Sequence, residues 1–302
     1  AKWSSWADTI SSARREGRED LAQIVGRAAN NALATGTLSA YANMRRRFAE
    51  FASSFANVNS NLGKYRNLFI AQLMHAGQNK SIPLATAALN FYYGRLTDGD
   101  AEVQKLLMDS SKRDITAIVH RTKATQDDVN AVVNWALNED SEGAVTDACI
   151  VLLSFLAFLR IGETAGIRKR HLEDKGNETW WLHIPRSKTD QCGAGATIAF
   201  KVQGRDKILW HRFMQILSAQ PRDQFVFATT AGSRPTTDAL RKRLNAVLTN
   251  AGLGRKGLTS HSFRGGAATV ALRRGVSQED IKRMGRWKST SSMLHYIEPT
   301  PI

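Results

Sequence analysis

Two cysteines, six prolines and no long apolar run set the first limits on this 302-residue chain. Cys149 lies in an apolar stretch and Cys192 in a glycine-rich turn, so a disulfide framework is not expected and an intracellular setting is. The longest apolar run, residues 148–159, is too short to cross a bilayer and closes on Arg160, which makes it a buried helix by expectation. Residues 1–10 hold Lys2 but lack the apolar segment of a secretory leader. The seven histidines are scattered, with no H-x-x-x-H pair, and no D-x-D cluster stands near the basic motifs described below. A G-x-x-x-x-G-K-[ST] loop for nucleotide phosphates is missing as well.

Acidic side chains are the other shortage. Asp and Glu number 27 against 42 Lys and Arg, a net charge of +15, and the isoelectric point is near 10.2. That balance is foreign to an enzyme of small neutral substrates and implies a polyanionic partner. Residues 1–120 carry 15 basic and 10 acidic side chains and the remainder 27 and 17, so both halves are basic. The length suits two domains with cores of their own, and the 42% hydrophobic content is ordinary for a globular protein.

Residues 1–32 are rich in Ser and Ala, carry Trp3 and Trp6, and contain the run Arg14-Arg15-Glu16-Gly17-Arg18-Glu19-Asp20. The pattern fits either a peripheral helix or a segment ordered by a partner. From residue 37, Leu38, Tyr41, Met44, Phe48, Phe51 and Phe55 recur at helical spacing, with Arg45, Arg46 and Arg47 across the other side. Residues 67–75 and 83–93 repeat the apolar period, the second behind Ser81-Ile82-Pro83, an N-cap with an early proline. A small helical domain over residues 1–120 follows. Residues 112–128 are polar, and Thr122-Lys123-Ala124-Thr125 within them reads as a linker leading to an N-cap at Thr125.

Residues 127–137 and 144–159 read as helices, the second apolar nearly all round and therefore central. Residues 178–184 and 197–202 alternate like strands, joined by a turn with Gly193 and Gly195 and preceded by the turn Asp174-Lys175-Gly176-Asn177. A two- or three-stranded antiparallel sheet is expected. Residues 205–217, 237–250, 262–274, 278–284 and 289–296 return to helical spacing. The fold class is mainly α (α+β): a helical N-terminal domain, then a mixed domain over 121–302 with one small antiparallel sheet.

His261-Ser262-Phe263-Arg264-Gly265-Gly266 places His261 and Arg264 on one face of a helix, where two cationic donors suit a phosphate. Gly265 and Gly266, lacking Cβ, let a backbone or a ligand come close behind that face. Upstream, Leu159-Arg160-Ile161-Gly162-Glu163-Thr164 ends the buried run with one arginine, and Pro185-Arg186-Ser187-Lys188-Thr189-Asp190 puts a lysine at a hairpin tip. Gly285-Arg286-Trp287 and His295-Tyr296-Ile297 complete the set.

The ordered series Arg160, Lys188, His261, Arg264, Trp287 and Tyr296 resembles the tyrosine recombinases of the phage integrase family, with a spacing most like the Cre-type enzymes. The resemblance is specific over residues 127–297 and topological before that. It implies an integrase-like fold, with a DNA-clamping core-binding domain over 1–120 and a catalytic domain over 121–302. It further implies that Arg160 and Arg264 hold the non-bridging oxygens of a scissile phosphate. Tyr296 is then the nucleophile, forming a 3′-phosphotyrosine. His261 takes or shares its proton, Lys188 protonates the 5′-oxygen, and Trp287 donates its indole N–H. Glu163 orients a cationic partner.

Phosphodiester cleavage asks for a barrier reduction on the order of 20 kcal/mol, of which each positioned donor supplies about 3 kcal/mol. No metal is expected, since the sequence shows no metal-ligand constellation, and the resemblance implies no cofactor: the tyrosyl linkage keeps the bond energy for religation, so no external energy source is required. Arg45, Arg46, Arg47, Arg168, Lys169, Arg241, Lys242 and Arg243 are the basic side chains expected on the DNA backbone. The implied partner is double-stranded DNA with a specific site, held by a homotetramer on two duplexes that exchange strands through a Holliday junction; no membrane partner is implied. Two other readings fit: cleavage without exchange, as in a type IB topoisomerase, or a non-catalytic DNA-binding protein on the same fold. Cre-type enzymes carry a further helix that docks in the neighbouring subunit, whereas here Thr300-Pro301 follow Tyr296 closely and disfavour a continuing helix. A trimmed tail or different subunit contacts are the expectations.

Overall fold

A computed structural model of the protein describes residues 5–114, 122–185 and 195–298. The chain divides into two compact units, Ala1–Ile118 and Val119–Ile302.

The first unit is helical. Helices α1 (Ser5–Arg15) and α2 (Glu19–Asn31) turn back on each other at Gly17, which sits at φ 71 where a side chain would be strained. Arg14 and Arg15 end α1 and Glu19 and Asp20 begin α2, each charge opposing the nearby helix dipole. The described part of residues 1–32 is thus a helical pair, tied down where Trp6 Nε1 donates to the Phe91 carbonyl at 3.1 Å. Helices α3 (Thr35–Ala52), α4 (Leu62–His75) and α5 (Ile82–Tyr93) build the core, with Met44, Phe48, Phe69, Ile70, Leu73, Ile82 and Leu89 buried. Ser81 precedes α5 but makes no capping hydrogen bond. Phe55 lies beyond the end of α3, its ring 5.0 Å from that of Tyr65. Helix α6 (Asp98–Arg113) has no counterpart in the sequence reading; its apolar residues are broken up by charges.

In the second unit α7 (Gln126–Glu139) opens on a reciprocal cap, Thr125 Oγ1 accepting from the Asp128 N–H at 3.2 Å and the Thr125 N–H donating to Asp128 Oδ2 at 2.9 Å. Helix α8 (Glu142–Leu156) is the centre: Ala148 to Leu153 are inaccessible to solvent, and α7, α10 (Gly204–Ser218), α11 (Thr237–Asn250) and α12 (Ser260–Arg273) all pack on it. The expected helix over 144–159 stops early. Phe158 adopts a left-handed φ of 52, and the Leu159 N–H reaches back to the Ser154 carbonyl at 3.1 Å. Arg160 therefore does not end α8; it stands in extended backbone at the N-cap of the short α9 (Ile161–Thr164).

Strands β1 (Leu172–Asp174), β2 (Thr179–Ile184) and β3 (Ala196–Lys201) form an antiparallel sheet in the order β1-β2-β3. Register follows the alternation: Leu182 pairs with Ile198 and Trp180 with Phe200, on the face turned to the core. Helices α13 (Gln278–Gly285) and α14 (Thr290–Leu294) close the unit. Helix α14 is shorter than the expected 289–296, and Tyr296 sits in a turn after it, its N–H bonded to the Met293 carbonyl at 2.8 Å. Among the described residues no helix is long and apolar enough to cross a membrane.

Candidate active site

Glu163 organises the site. Its side chain is buried at the third position of α9, and both carboxylate oxygens are engaged. The Arg160 backbone N–H donates to Oε2 and Arg160 Nη1 to Oε1, each at 2.9 Å; Arg286 Nη2 donates to Oε2 at 2.5 Å; Arg264 Nη1 stands 3.9 Å from Oε2. Burial pushes the Glu163 carboxyl up, but Arg286, the Arg160 N–H and the Arg160 guanidinium together outweigh it and hold the group below the ordinary carboxylate range. Three guanidiniums thus share one carboxylate, and the cluster stays positive.

Arg264, on α12, has no solvent exposure. Its Nη1 donates to the Phe158 carbonyl at 2.6 Å and its Nη2 to the Gly285 carbonyl. Phe158 occupies its left-handed conformation at this contact, a cost of about 1 kcal/mol for a non-glycine residue that is held by the arginines it serves. Burial first, then the neighbouring Arg160 and Arg286, push Arg264 down to about 9, which leaves it charged at neutral pH. Its guanidinium lies over the Trp287 ring at 4.4 Å and over the Tyr296 ring at 5.6 Å.

Trp287 is buried, its ring 5.3 Å from that of Tyr296 and edge-on to Phe158 at 6.4 Å. Tyr296 is half-buried, and its ring centroid is 6.3 Å from that of His261 in the first turn of α12. Arg264 Nε, Arg286 Nε and Trp287 Nε1 are buried donors with no acceptor among the described residues; those of Arg264 and Trp287, the two side chains against the Tyr296 ring, are suited to an anion. Five of the six residues carried by the motifs, Arg160, His261, Arg264, Trp287 and Tyr296, therefore meet in one place together with Glu163. Lys188 lies outside the described residues.

Two contributors escaped the sequence reading. Arg286 stands in its motif with no role that the sequence assigns. Lys123 reads as linker by sequence, yet its Nζ is 5.9 Å from the Tyr296 ring centroid, and the Ala124 N–H donates to the Ser262 carbonyl at 3.0 Å. The glycine pair was the available signal: a Cβ on Gly265 would meet Lys123 Cδ and the Tyr296 carbonyl oxygen, each at 2.9 Å, and one on Gly266 would run into Ala124. What approaches the glycines is the chain's own backbone.

The basic candidates divide. In the first unit Arg45 lies over the Tyr92 ring at 4.8 Å, Arg46 donates to Asn43 at 2.9 Å and Arg47 to Gln78 at 2.6 Å. In the second, Arg168 donates to the Asp223 carbonyl at 2.7 Å and Lys169 to the Ser218 and Gln220 carbonyls at 3.0 and 2.8 Å. Arg243 is tied to Asp147 and to the Phe227 carbonyl at 2.6 and 2.7 Å, and Arg241 to Asp238 at 2.5 Å. Lys242 is exposed on α11.

Comparison with known proteins adds the context. Searching curated protein sequences found no match. Among solved structures, the Tn1549 transposon integrase in complex with transposon right-end DNA is 11% identical with a TM-score of 0.60, over 89% of this chain and 91% of that one. A lambda integrase tetramer bound to a Holliday junction is 15% identical with a TM-score of 0.59, over 97% of this chain and 76% of that one. The XerH site-specific recombinase bound to a palindromic difH substrate is 14% identical with a TM-score of 0.58, over 91% of this chain and 79% of that one. The likeness in structure is one of fold. The sequence model described as the phage integrase family matches residues 123–301, more than half of the chain and all of the cluster around Glu163. With the family model covering that site and the fold in agreement, the chain belongs to the phage integrase family of tyrosine recombinases.

Proposed function

We propose that the protein is a site-specific DNA recombinase that breaks and rejoins DNA through Tyr296. The Tyr296 oxygen attacks the scissile phosphorus, a P–O bond to tyrosine forms, and the bond to the 5′-oxygen breaks. The tyrosyl proton passes to His261, and the 5′-oxygen takes a proton from Lys188. Charge growing on the non-bridging oxygens meets Arg160, Arg264 and the Trp287 N–H, donors already oriented before the reaction begins. Attack of an incoming 5′-hydroxyl on the phosphotyrosine reverses the step on a new strand.

The observation that carries this reading is the convergence of a positive, partly unsatisfied donor cluster with the Tyr296 ring, 5.6 Å from the Arg264 guanidinium. Arg264 spends two of a guanidinium's roughly five N–H groups on backbone carbonyls and keeps the others for a ligand. We assign the first unit to clamping DNA, with Arg45 and Lys242 as phosphate contacts in their respective units, while Lys169 and Arg243 mainly hold the protein together. The lambda integrase tetramer on a Holliday junction supports, by analogy, four copies acting on two duplexes. The motif spacing favours the Cre-type branch.

Covalent trapping tests the reading. Wild-type protein and Tyr296→Phe are incubated with a nicked fragment library of the source DNA and denatured in SDS. Retention by wild type alone supports it, and two labelled duplexes carrying the retained site then exchange strands. Adduct without exchange favours the topoisomerase reading. Native binding by both proteins with no retention by either would replace recombination with an architectural role.

A further inference from the structure

Arg286 has left-handed backbone at φ 54, which glycine adopts freely and arginine does not. A side chain held there against its backbone preference points to a use for its own atoms. Its Nη1 donates to the Met284 carbonyl at 2.7 Å, and its Nη2 donates to the Phe158 carbonyl at 3.1 Å and to Glu163 Oε2 at 2.5 Å. Phe158 and Glu163 bracket Arg160, whereas Arg286 directly precedes Trp287 in the segment that leads to Tyr296. One side chain therefore joins the segment carrying Arg160 to the segment carrying the tyrosine, residues 123 apart in sequence.

The Phe158 carbonyl accepts from Arg264 as well, at 2.6 Å, so one carbonyl and one carboxylate set the register of three arginines. Arg286 spends both terminal nitrogens on the protein, and its side chain is 8% exposed, so it acts on a substrate through its neighbours. By occupying Glu163 Oε2 it also limits how far that carboxylate neutralises Arg160 and Arg264.

We propose that Arg286 is a positioning residue for cleavage: through Glu163 and the Phe158 carbonyl it holds the segment carrying Trp287 and Tyr296 in register with Arg160 and Arg264. The proposal rests on Tyr296 being the nucleophile. Its test uses the nicked duplexes that wild type retains covalently, and measures the rate of adduct formation and, separately, native affinity for the same duplex. Arg286→Gln should slow adduct formation about 100-fold, the scale of an ~1 Å misplacement, with affinity unchanged. Arg286→Lys, which keeps the charge, should recover part of the rate. The double variant E163Q/R286Q should be no slower than the slower single variant, because the two residues act as a unit.

A wild-type rate for Arg286→Gln, an equal loss of affinity and rate, or multiplying effects in the double variant would each overturn the assignment. Should Arg286→Gln fail to fold, shown by loss of its cooperative melting transition, Arg286→Lys decides: an intermediate rate at unchanged affinity supports the assignment and a wild-type rate overturns it. Absence of any adduct with wild type would remove the nucleophile reading and this assignment with it, whereas a wild-type adduct indifferent to Arg286 removes only the latter.

Discussion

Replacing Gly266 by alanine puts a methyl group into the backbone of Ala124, with the Ala124 carbonyl carbon at 2.9 Å, its nitrogen at 3.0 Å and the carbonyl oxygen closer still. Two effects oppose each other. Gly266 is inside α12, where alanine is the better helix former by about 1 kcal/mol. Against this, the obstacle is backbone and has no rotamer to escape into, and overpacking of such a site costs about 1–3 kcal/mol. Moving the linker also breaks the hydrogen bond from the Ala124 N–H to the Ser262 carbonyl, worth about 1 kcal/mol. The net is a destabilisation of about 1–3 kcal/mol, or roughly 2–12 °C in the midpoint for a unit of this size. Calorimetric melting of Gly266→Ala against wild type measures it. A midpoint equal to or above that of wild type would mean helix propensity has won and that the linker is not seated on α12.

His171 is buried, with Nδ1 accepting the Arg168 N–H at 3.1 Å, and burial followed by the charges of Arg170, His183 and Arg168 pushes it down to about 4. An unfolded histidine titrates near about 6.5, so between that value and about 4 the unfolded chain binds the extra proton; stability is full above the window and falls, as pH drops through it, by about 3 kcal/mol. His171→Asn keeps an acceptor and loses the titration, so denaturant unfolding at a series of pH values should show that part of the slope gone; an unchanged slope would refute it. Lys242→Ala should lower the salt dependence of DNA binding by about 0.9 in log–log slope and leave the melting midpoint alone. Lys169→Ala, which removes bonds to the Ser218 and Gln220 carbonyls, should instead cost about 1 kcal/mol of stability. The reverse pattern would show that the free and the committed lysines have been exchanged.

The long helices of the second unit and its antiparallel strand pair were legible from apolar periodicity and alternation: Leu182 and Ile198 meet in the register that alternation demands. Thr125 announced α7 through a purely local exchange with Asp128. Helix α6 was missed because Val103 and Leu106 are exposed, so its apolar positions form no clean stripe. The break after α8 was invisible for a different reason. A phenylalanine at φ 52 has no local signature, and its conformation is held by arginines more than a hundred residues away. Likewise, composition counts Lys169 and Lys242 alike, and only packing separates a lysine bonded to carbonyls from one that faces solvent.

The most direct test of the central claim is to digest the trapped adduct and identify the modified peptide and DNA end by mass spectrometry. The account predicts the peptide containing Tyr296, with the tyrosine oxygen joined to a 3′-phosphate. DNA on another residue, or a link through a 5′-phosphate, would contradict it.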